Sequence, residues 1–151
     1  MTMRFKMFGL AVVFAAGLAG TVAEAQQGNT ITVPVTGLRN NTGEVRCGLF
    51  NSASTFPTNG QQFQGVAAPI TNQQATCTFT NVPPGTYAVA IFHAERPGQT
   101  TMDTSAMGYP KDGYGFSRNA PLGTFGPPSF GAAAYSYAGG AVSFPITITY
   151  P

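Results

Sequence analysis

The chain has 151 residues, of which 43% are hydrophobic and 8% are charged, and its formal net charge at pH 7 is +2. This length accommodates one domain with a single core. The small net charge excludes the strongly basic surface of a nucleic-acid-binding protein, so we expect no nucleic-acid partner.

The first 25 residues have the pattern of a secretory signal peptide. Arg4 and Lys6 precede an apolar stretch from about Met7 to Val22, and Ala23-Glu24-Ala25 offers small residues for cleavage. The stretch is shorter than the roughly 20 apolar residues of a spanning helix, although an uncleaved membrane anchor is the alternative. We therefore expect a signal peptide at residues 1–25, one domain at residues 26–151 without a transmembrane segment, and a periplasmic or extracellular location.

Short runs in which apolar and polar residues alternate predict β-strands along the rest of the chain. In residues 30–36, Pro34 has the outward parity, which favours an edge strand because proline has no N–H for a ladder. Pro145 suggests the same for residues 141–150. Residues 61–70 fit either an edge strand or a short helix. The further predicted strands cover residues 44–50, 74–80, 86–93 and 132–137.

Turn signals separate these strands, and no helical periodicity follows the signal peptide. Asn40-Asn41-Thr42-Gly43 and Val82-Pro83-Pro84-Gly85 are two such turns. Several short strands with regular turns are typical of a sandwich. The sequence therefore predicts an all-β fold, an antiparallel β-sandwich of about seven strands.

The two cysteines share the inward parity of their predicted strands. Cys47 alternates with Val45 and Leu49, and Cys77 alternates with Ala75 and Phe79. Because successive side chains of a strand point to opposite faces, both thiols are expected in the core. An even number of cysteines in an exported protein favours a Cys47–Cys77 disulfide, and two buried free thiols are the alternative.

Residues 108–130 are rich in glycine, proline and aromatic residues. Long connections without periodicity are usually functional or disordered, and the rings argue against disorder. We favour a mini-core beneath the loop over an exposed platform for a sugar or a protein partner. Positive φ angles are expected at Gly113 and Gly115. The candidate binding surface comprises His93, Lys111, Asp112, Tyr114, Phe116 and Arg118.

Five motifs of this chain resemble one family of exported bacterial proteins. They are GLRNN (37–41), NVPPGTYAV (81–89), IFH (91–93), GYPKDGYGFS (108–117) and FGPPSF (125–130). The family is called domain of unknown function 2141. The resemblance implies a transthyretin-like or collagen-adhesin-type sandwich and a secreted or periplasmic location, and it implies no known reaction. We expect a transthyretin-like or immunoglobulin-like sandwich.

One loop departs from that family. Its members tend to carry Asp-Glu-Asn-Gly-Asn-Gly after the strand-ending histidine, a pattern that resembles a calcium loop. Here residues 94–103 read AERPGQTTMD, so Ala94, Arg96 and Gly98 take the alternate positions and offer no carboxylate. We expect a plain surface loop rather than a calcium site.

His93 is the single histidine and follows the inward parity of its strand. It fits a rim residue that is hydrogen-bonded to the loop backbone, or a general base or metal ligand assisted by Glu95 and Asp103. One histidine and two acids are a thin set for zinc, which takes three or four nitrogen or sulfur ligands. We expect no metal site and no cofactor.

Serine catalysis has little support in the sequence. Ser117 and Ser129 lie in the glycine-aromatic segment, but no G-x-S-x-G elbow is present. We expect their hydroxyls to satisfy turns. The leading function is a non-enzymatic binding or structural protein of the cell envelope, with an envelope protein or a carbohydrate as partner. The alternative is a hydrolase or metal-dependent enzyme centred on His93.

Overall fold

The computed structural model describes residues 29–151, so the predicted signal peptide lies outside the described residues. Two sheets, one of four strands and one of five, pack face to face. The all-β sandwich is confirmed, with more strands than the seven expected. In chain order the strands are β1 Thr30–Thr36, β2 Glu44–Phe50, β3 Gln64–Pro69, β4 Ala75–Phe79, β5 Gly85–Ala94, β6 Tyr114–Phe116, β7 Tyr135–Tyr137, β8 Ala141–Ser143 and β9 Ile146–Thr147.

The first sheet has the order β4-β1-β8, with β9 also paired to β1, and the second has the order β3-β2-β5-β6, with β7 also paired to β5. Short helical turns occur at Ser117–Asn119 and Phe130–Ala133, the latter being α1. Within residues 29–151, no helix has the length and apolar character needed to cross a bilayer.

The core lies between the two sheets and follows the alternation of the strands. Side chains of inward parity are buried in β1, β2, β4 and β5. Full burial of one such aliphatic side chain contributes about 1.5–3 kcal/mol. They include Ile31, Val33, Val35, Val45, Leu49, Phe79, Val89 and Ile91.

The predicted disulfide between Cys47 and Cys77 is confirmed, with a Cα–Cα distance of 6.6 Å. Cys47 lies on β2 of the second sheet and Cys77 on β4 of the first. The bond therefore ties the two sheets together within their shared core.

The edge position expected for β1 from Pro34 is wrong. β1 pairs with β4 on one side over five residues, and on the other side with β8 and then β9. Both of the latter pairings are parallel. Pro34 lies between them, after the bond from Phe144 N–H to Thr32 O and before that from Ile148 N–H to Thr36 O. The missing N–H thus coincides with an interruption of the ladder instead of a sheet edge.

Four other segments differ in detail from the expected elements. The predicted loop at residues 108–130 contains the short strand β6, which pairs with β5. Residues 61–70 hold an edge strand, β3, which resolves the strand-or-helix alternative. The strand expected at 132–137 shortens to β7, because Ser129 accepts a hydrogen bond from Ala132 N–H and caps α1. The strand expected at 141–150 is divided into β8 and β9, with Pro145 between them.

The positive φ angles expected at Gly113 and Gly115 are wrong, since the glycines with positive φ lie elsewhere in residues 29–151. Gly113 and Gly115 instead allow the backbone near β6 to lie close to the side chains of neighbouring segments. A Cβ at Gly115 would lie 2.6 Å from Ile146 Cγ2, and one at Gly113 would lie 2.8 Å from Tyr150 Cδ1. The absence of side chains lets β6 approach the C-terminal segment, where Tyr114 and Thr149 exchange backbone hydrogen bonds of 2.8 and 2.7 Å.

A second apolar cluster lies on the outer face of the second sheet. It buries Phe50, Phe56, Ala88, Phe116, Ala120 and Ala133, and Tyr114 and Phe130 pack against it. The segment 108–130 therefore forms a mini-core in part. Phe125 is 99% exposed and Tyr109 is 45% exposed, so these two rings do not join it.

Candidate functional site

A pocket of about 510 Å³ lies over the outer face of the second sheet. Its floor is made by small residues that are in register across three strands: Gly65 on β3, Gly48 on β2 and Ala90 on β5. Ala90 is in turn paired with Phe116 on β6, whose ring bounds this row. Pockets that hold small molecules have volumes of about 300–1,000 Å³, so this one has the size of a ligand site.

The adjacent row of the floor carries the charge and the rings. Arg46 is paired with Ala67 on β3 and with Phe92 on β5, and Phe92 is paired with Tyr114 on β6. All four residues line the pocket. Arg46 Nη1 donates to Glu44 Oε1 at 2.6 Å. Since a guanidinium has five N–H donors, most donors of Arg46 have no protein partner within residues 29–151.

Two irregular parts of the chain form the walls. Residues 57–62 contribute one side, and both flanks of β6 contribute the other. Gln62 Oε1 accepts from Gly60 N–H at 2.8 Å, which leaves its amide nitrogen facing the floor near Gly65. The further wall residues include Pro57, Asn59, Met102, Tyr109, Pro110, Leu122, Gly126 and Pro127.

The predicted binding surface is divided by the structure. Tyr114 and Phe116 line the pocket. Asp112 accepts from Gln99 Nε2 and from Asp103 N–H, each at 2.7 Å, so it holds the loop before β6 in place. Lys111 is exposed on that loop. Arg118 lies apart, with its guanidinium carbon 5.7 Å from the centre of the Tyr135 ring.

Sequence reasoning missed Arg46, Gly48, Ala90 and Phe92, which form much of the floor. A signal was present. In β5 the outward residues Ala88, Ala90 and Phe92 are as apolar as the inward ones. A strand that is apolar on both faces is typically covered on both, and this pattern indicates a buried outer face.

His93 lies away from this pocket and is fully buried. Its Nε2 is 2.7 Å from Thr42 O, and its Nδ1 is 2.7 Å from the Tyr150 hydroxyl. Because a carbonyl only accepts, Nε2 carries the proton, and in the neutral ring Nδ1 accepts from Tyr150. Both nitrogens are occupied, so the ring joins the β1–β2 loop, β5 and the C-terminal segment and is not presented to a substrate.

The acids proposed as helpers of His93 are paired with arginines. Glu95 binds Arg39 through two hydrogen bonds of 2.7 and 3.0 Å, and Arg39 lowers the pKa of Glu95 below its ordinary value of 4.5. Asp103 lies 3.0 Å from Arg96. Burial raises the pKa of Tyr150. His93 Nδ1 lies 3.3 Å from Glu95 Oε2, whereas Asp103 pairs with Arg96. Within residues 29–151, no three side chains of the metal-ligating types are grouped so that they could hold a metal ion.

Ser117 is buried and closes a gap in the sheet. Its hydroxyl accepts from Val89 N–H at 2.8 Å and lies 2.5 Å from Ala133 O, to which it donates. Val89 lies on β5 between the residues paired with β6 and those paired with β7. The hydroxyl thus replaces a missing ladder hydrogen bond, and Ser129 caps α1, so both serines have structural partners.

The comparison with curated proteins and the comparison with solved structures each returned no match. A family model described as uncharacterised protein conserved in bacteria matches residues 33–144. The match spans the strands from within β1 to the end of β8, both irregular walls of the pocket and the whole of its floor. The chain belongs to this bacterial family, domain of unknown function 2141.

Proposed function

We propose that the protein is an exported, non-enzymatic binding module of the bacterial cell envelope, and that it binds a ring-containing small molecule in the pocket over the second sheet. One observation carries this proposal. The pocket combines three floor residues in register that have at most a methyl side chain, Gly48, Gly65 and Ala90, with the lining rings of Phe92, Tyr114 and Phe116.

The shape of the pocket suits a flat or ring-shaped body. The three adjacent floor positions carry at most a methyl group, and Phe50 Cε1 and Gln62 Nε2 lie 3.0 Å from where Cβ atoms of Gly48 and Gly65 would stand. Aromatic side chains of the lining offer faces and edges for ring contacts. A sugar ring of an envelope carbohydrate or an aromatic ring fits this arrangement. An envelope protein as the partner stays a prediction from the sequence.

The chemical groups of the lining support binding over catalysis. They comprise one guanidinium, side-chain amides and hydroxyls. Such groups orient a ligand, whereas general acid–base work needs a group that gains and loses a proton near the working pH. His93, the residue of the hydrolase alternative, has both nitrogens engaged away from the pocket.

Export is supported by the signal-peptide pattern and by the disulfide, a bond that persists in oxidising compartments. Cell fractionation and mass spectrometry of the N-terminus test it. We expect the protein in the periplasm or the medium, beginning near Gln26. A full-length cytoplasmic protein with free thiols would contradict this part of the proposal.

Binding is tested with the fluorescent probe N-phenyl-1-naphthylamine, a neutral ring compound. We expect saturable binding to the wild-type protein and at least about tenfold weaker binding to Ala90→Leu, because the longer side chain fills the space above the floor. Ala141→Leu is the matched control, since Ala141 is exposed on β8 of the other sheet. Equal affinity of Ala90→Leu and the wild type, with unchanged melting temperatures, would overturn the proposal.

A further inference from the structure

We infer that the ligand of this pocket is anionic: a ring compound whose carboxylate or similar acidic group binds Arg46. The inference rests on the proposed binding function and adds the charge of the ligand. It comes from the position of one guanidinium in an otherwise uncharged site.

Arg46 is the single charged residue among the lining residues that the structure describes. It lies in the middle of a sheet row, where its cross-strand neighbours Ala67 and Phe92 are apolar and Glu44 on its own strand is its ion-pair partner. Its side chain is 34% exposed. A cation beside apolar walls is less screened by water than one on an open surface, so it attracts an anion more strongly.

Two side chains of the lining have unused N–H donors. Arg46 uses Nη1 for Glu44, and its remaining N–H groups have no partner in the described chain. The same holds for the amide nitrogen of Gln62. A planar carboxylate accepts two parallel hydrogen bonds from a guanidinium, so this set of donors matches an acidic head group beside the ring platform.

The other acidic side chains near this face are already engaged. Asp112 is bound by Gln99 and by a backbone N–H, and Asp103 is paired with Arg96. Glu44 is the competing anion, because it accepts from Arg46 and is 40% exposed outside the lining. Glu44 therefore holds Arg46 in place and also opposes the binding of a second anion.

The test uses two probes that share one ring system. 1-Anilinonaphthalene-8-sulfonate is anionic, and N-phenyl-1-naphthylamine is its neutral counterpart. Hydrogen bonds to a charged group are stronger than neutral ones, so we expect the wild type to bind the anionic probe about tenfold more tightly than the neutral probe. Raising the salt concentration should reduce this preference and leave the neutral probe unaffected.

Three variants assign the preference to Arg46. Arg46→Gln should lower the affinity for the anionic probe about tenfold and change the affinity for the neutral probe by less than about twofold. Arg46→Lys should keep part of the preference for the anionic probe. Glu44→Gln should raise the affinity for the anionic probe, because the competing carboxylate is removed. Arg118→Gln is the matched control, since that arginine stands beside Tyr135 and outside the pocket.

The outcomes separate the two proposals. If Arg46→Gln leaves the ratio of the two affinities unchanged while Ala90→Leu weakens both probes, the anionic ligand is excluded and the pocket remains the binding site. If Ala90→Leu affects neither probe, the binding function itself fails. Melting temperatures of all variants close to that of the wild type show that the comparison concerns folded protein.

Discussion

The two faces of the second sheet use alternate residues of the same strands, yet they are covered by different kinds of structure. The inner face, with Val45, Cys47 and Leu49 on β2, packs against another sheet and is fully sealed. The outer face, with Arg46, Gly48 and Phe50, is covered by irregular chain. The opposing sheet fills all the space over the inner face. The irregular segments over the outer face seal one end of that face and leave the other end open.

The outer face itself shows both results. At one end, the ring of Phe56 meets those of Phe50, Phe116 and Phe130 edge to face, with centroids 5.3–6.0 Å apart. At the other end lies the pocket, and Gly48 and Ala90 form part of its floor. A binding site is therefore expected where the second cluster ends and the cover of the outer face is incomplete.

The largest expected effect is on the inner face. The Cys47–Cys77 bond closes a sequence separation of 30 residues, and in the chain-entropy model its loss costs about 3–4 kcal/mol of unfolding free energy. Denaturant unfolding of the Cys47→Ala/Cys77→Ala double variant, or of the reduced protein, measures this loss. An unchanged midpoint would show that the two sheets do not depend on the bond.

The sealed end of the outer face should be nearly as sensitive. Phe56→Ala removes a buried ring that contacts three others in the second cluster, and we expect a loss of about 3 kcal/mol, at the low end for such a change because Phe56 keeps 9% exposure. Thermal and denaturant unfolding measure it. Phe63→Ala is the control, since Phe63 is 44% exposed. Equal, small losses in both variants would mean that the second cluster contributes little.

Ser117→Ala tests the link between the covering segment and the sheet. The change leaves Val89 N–H and Ala133 O without their buried partner, which we expect to cost about 1–3 kcal/mol. Hydrogen exchange of the Val89 amide should also become faster. Retained protection at Val89 would indicate that another group replaces the hydroxyl.

A smaller effect is expected for the surface ion pair between Glu95, which follows β5, and Arg39. The pKa of Glu95 is lowered, so the pair's contribution to stability is complete above about pH 4.5 and is lost as the pH falls through the lower, folded-state pKa. Glu95→Gln should therefore be slightly less stable than the wild type at pH 7 and equal to it in strong acid. A difference that persists at low pH would assign the effect to packing.

The smallest effect is expected in the exposed part of residues 108–130, the segment that lies over the outer face of the second sheet. Phe125 is 99% exposed, so Phe125→Ser should change the unfolding free energy by less than about 0.5 kcal/mol. Unfolding measured beside Phe56→Ala gives the contrast between two rings near the same face. A large loss of stability would show that this part packs in solution.

Much of the inner face was predictable and much of the outer face was not. The parity of Cys47 and Cys77 predicted their bond, because alternation is a local property of each strand. The parity of Pro34 predicted an edge, but the chain places it at the junction of two parallel partners. The pocket depends on registers such as Gly48 with Ala90, which no single segment contains.

The amino-acid sequence by itself determined the long strands β1, β2, β4 and β5, their inward residues and the disulfide, since these follow from alternation within short segments. The tertiary structure alone decided that residues far apart in the chain would share the outer floor, and that His93 would be enclosed by Thr42 and Tyr150. The physical reason is that a strand specifies which side chains share a face, whereas the cover of that face depends on where distant irregular segments pack.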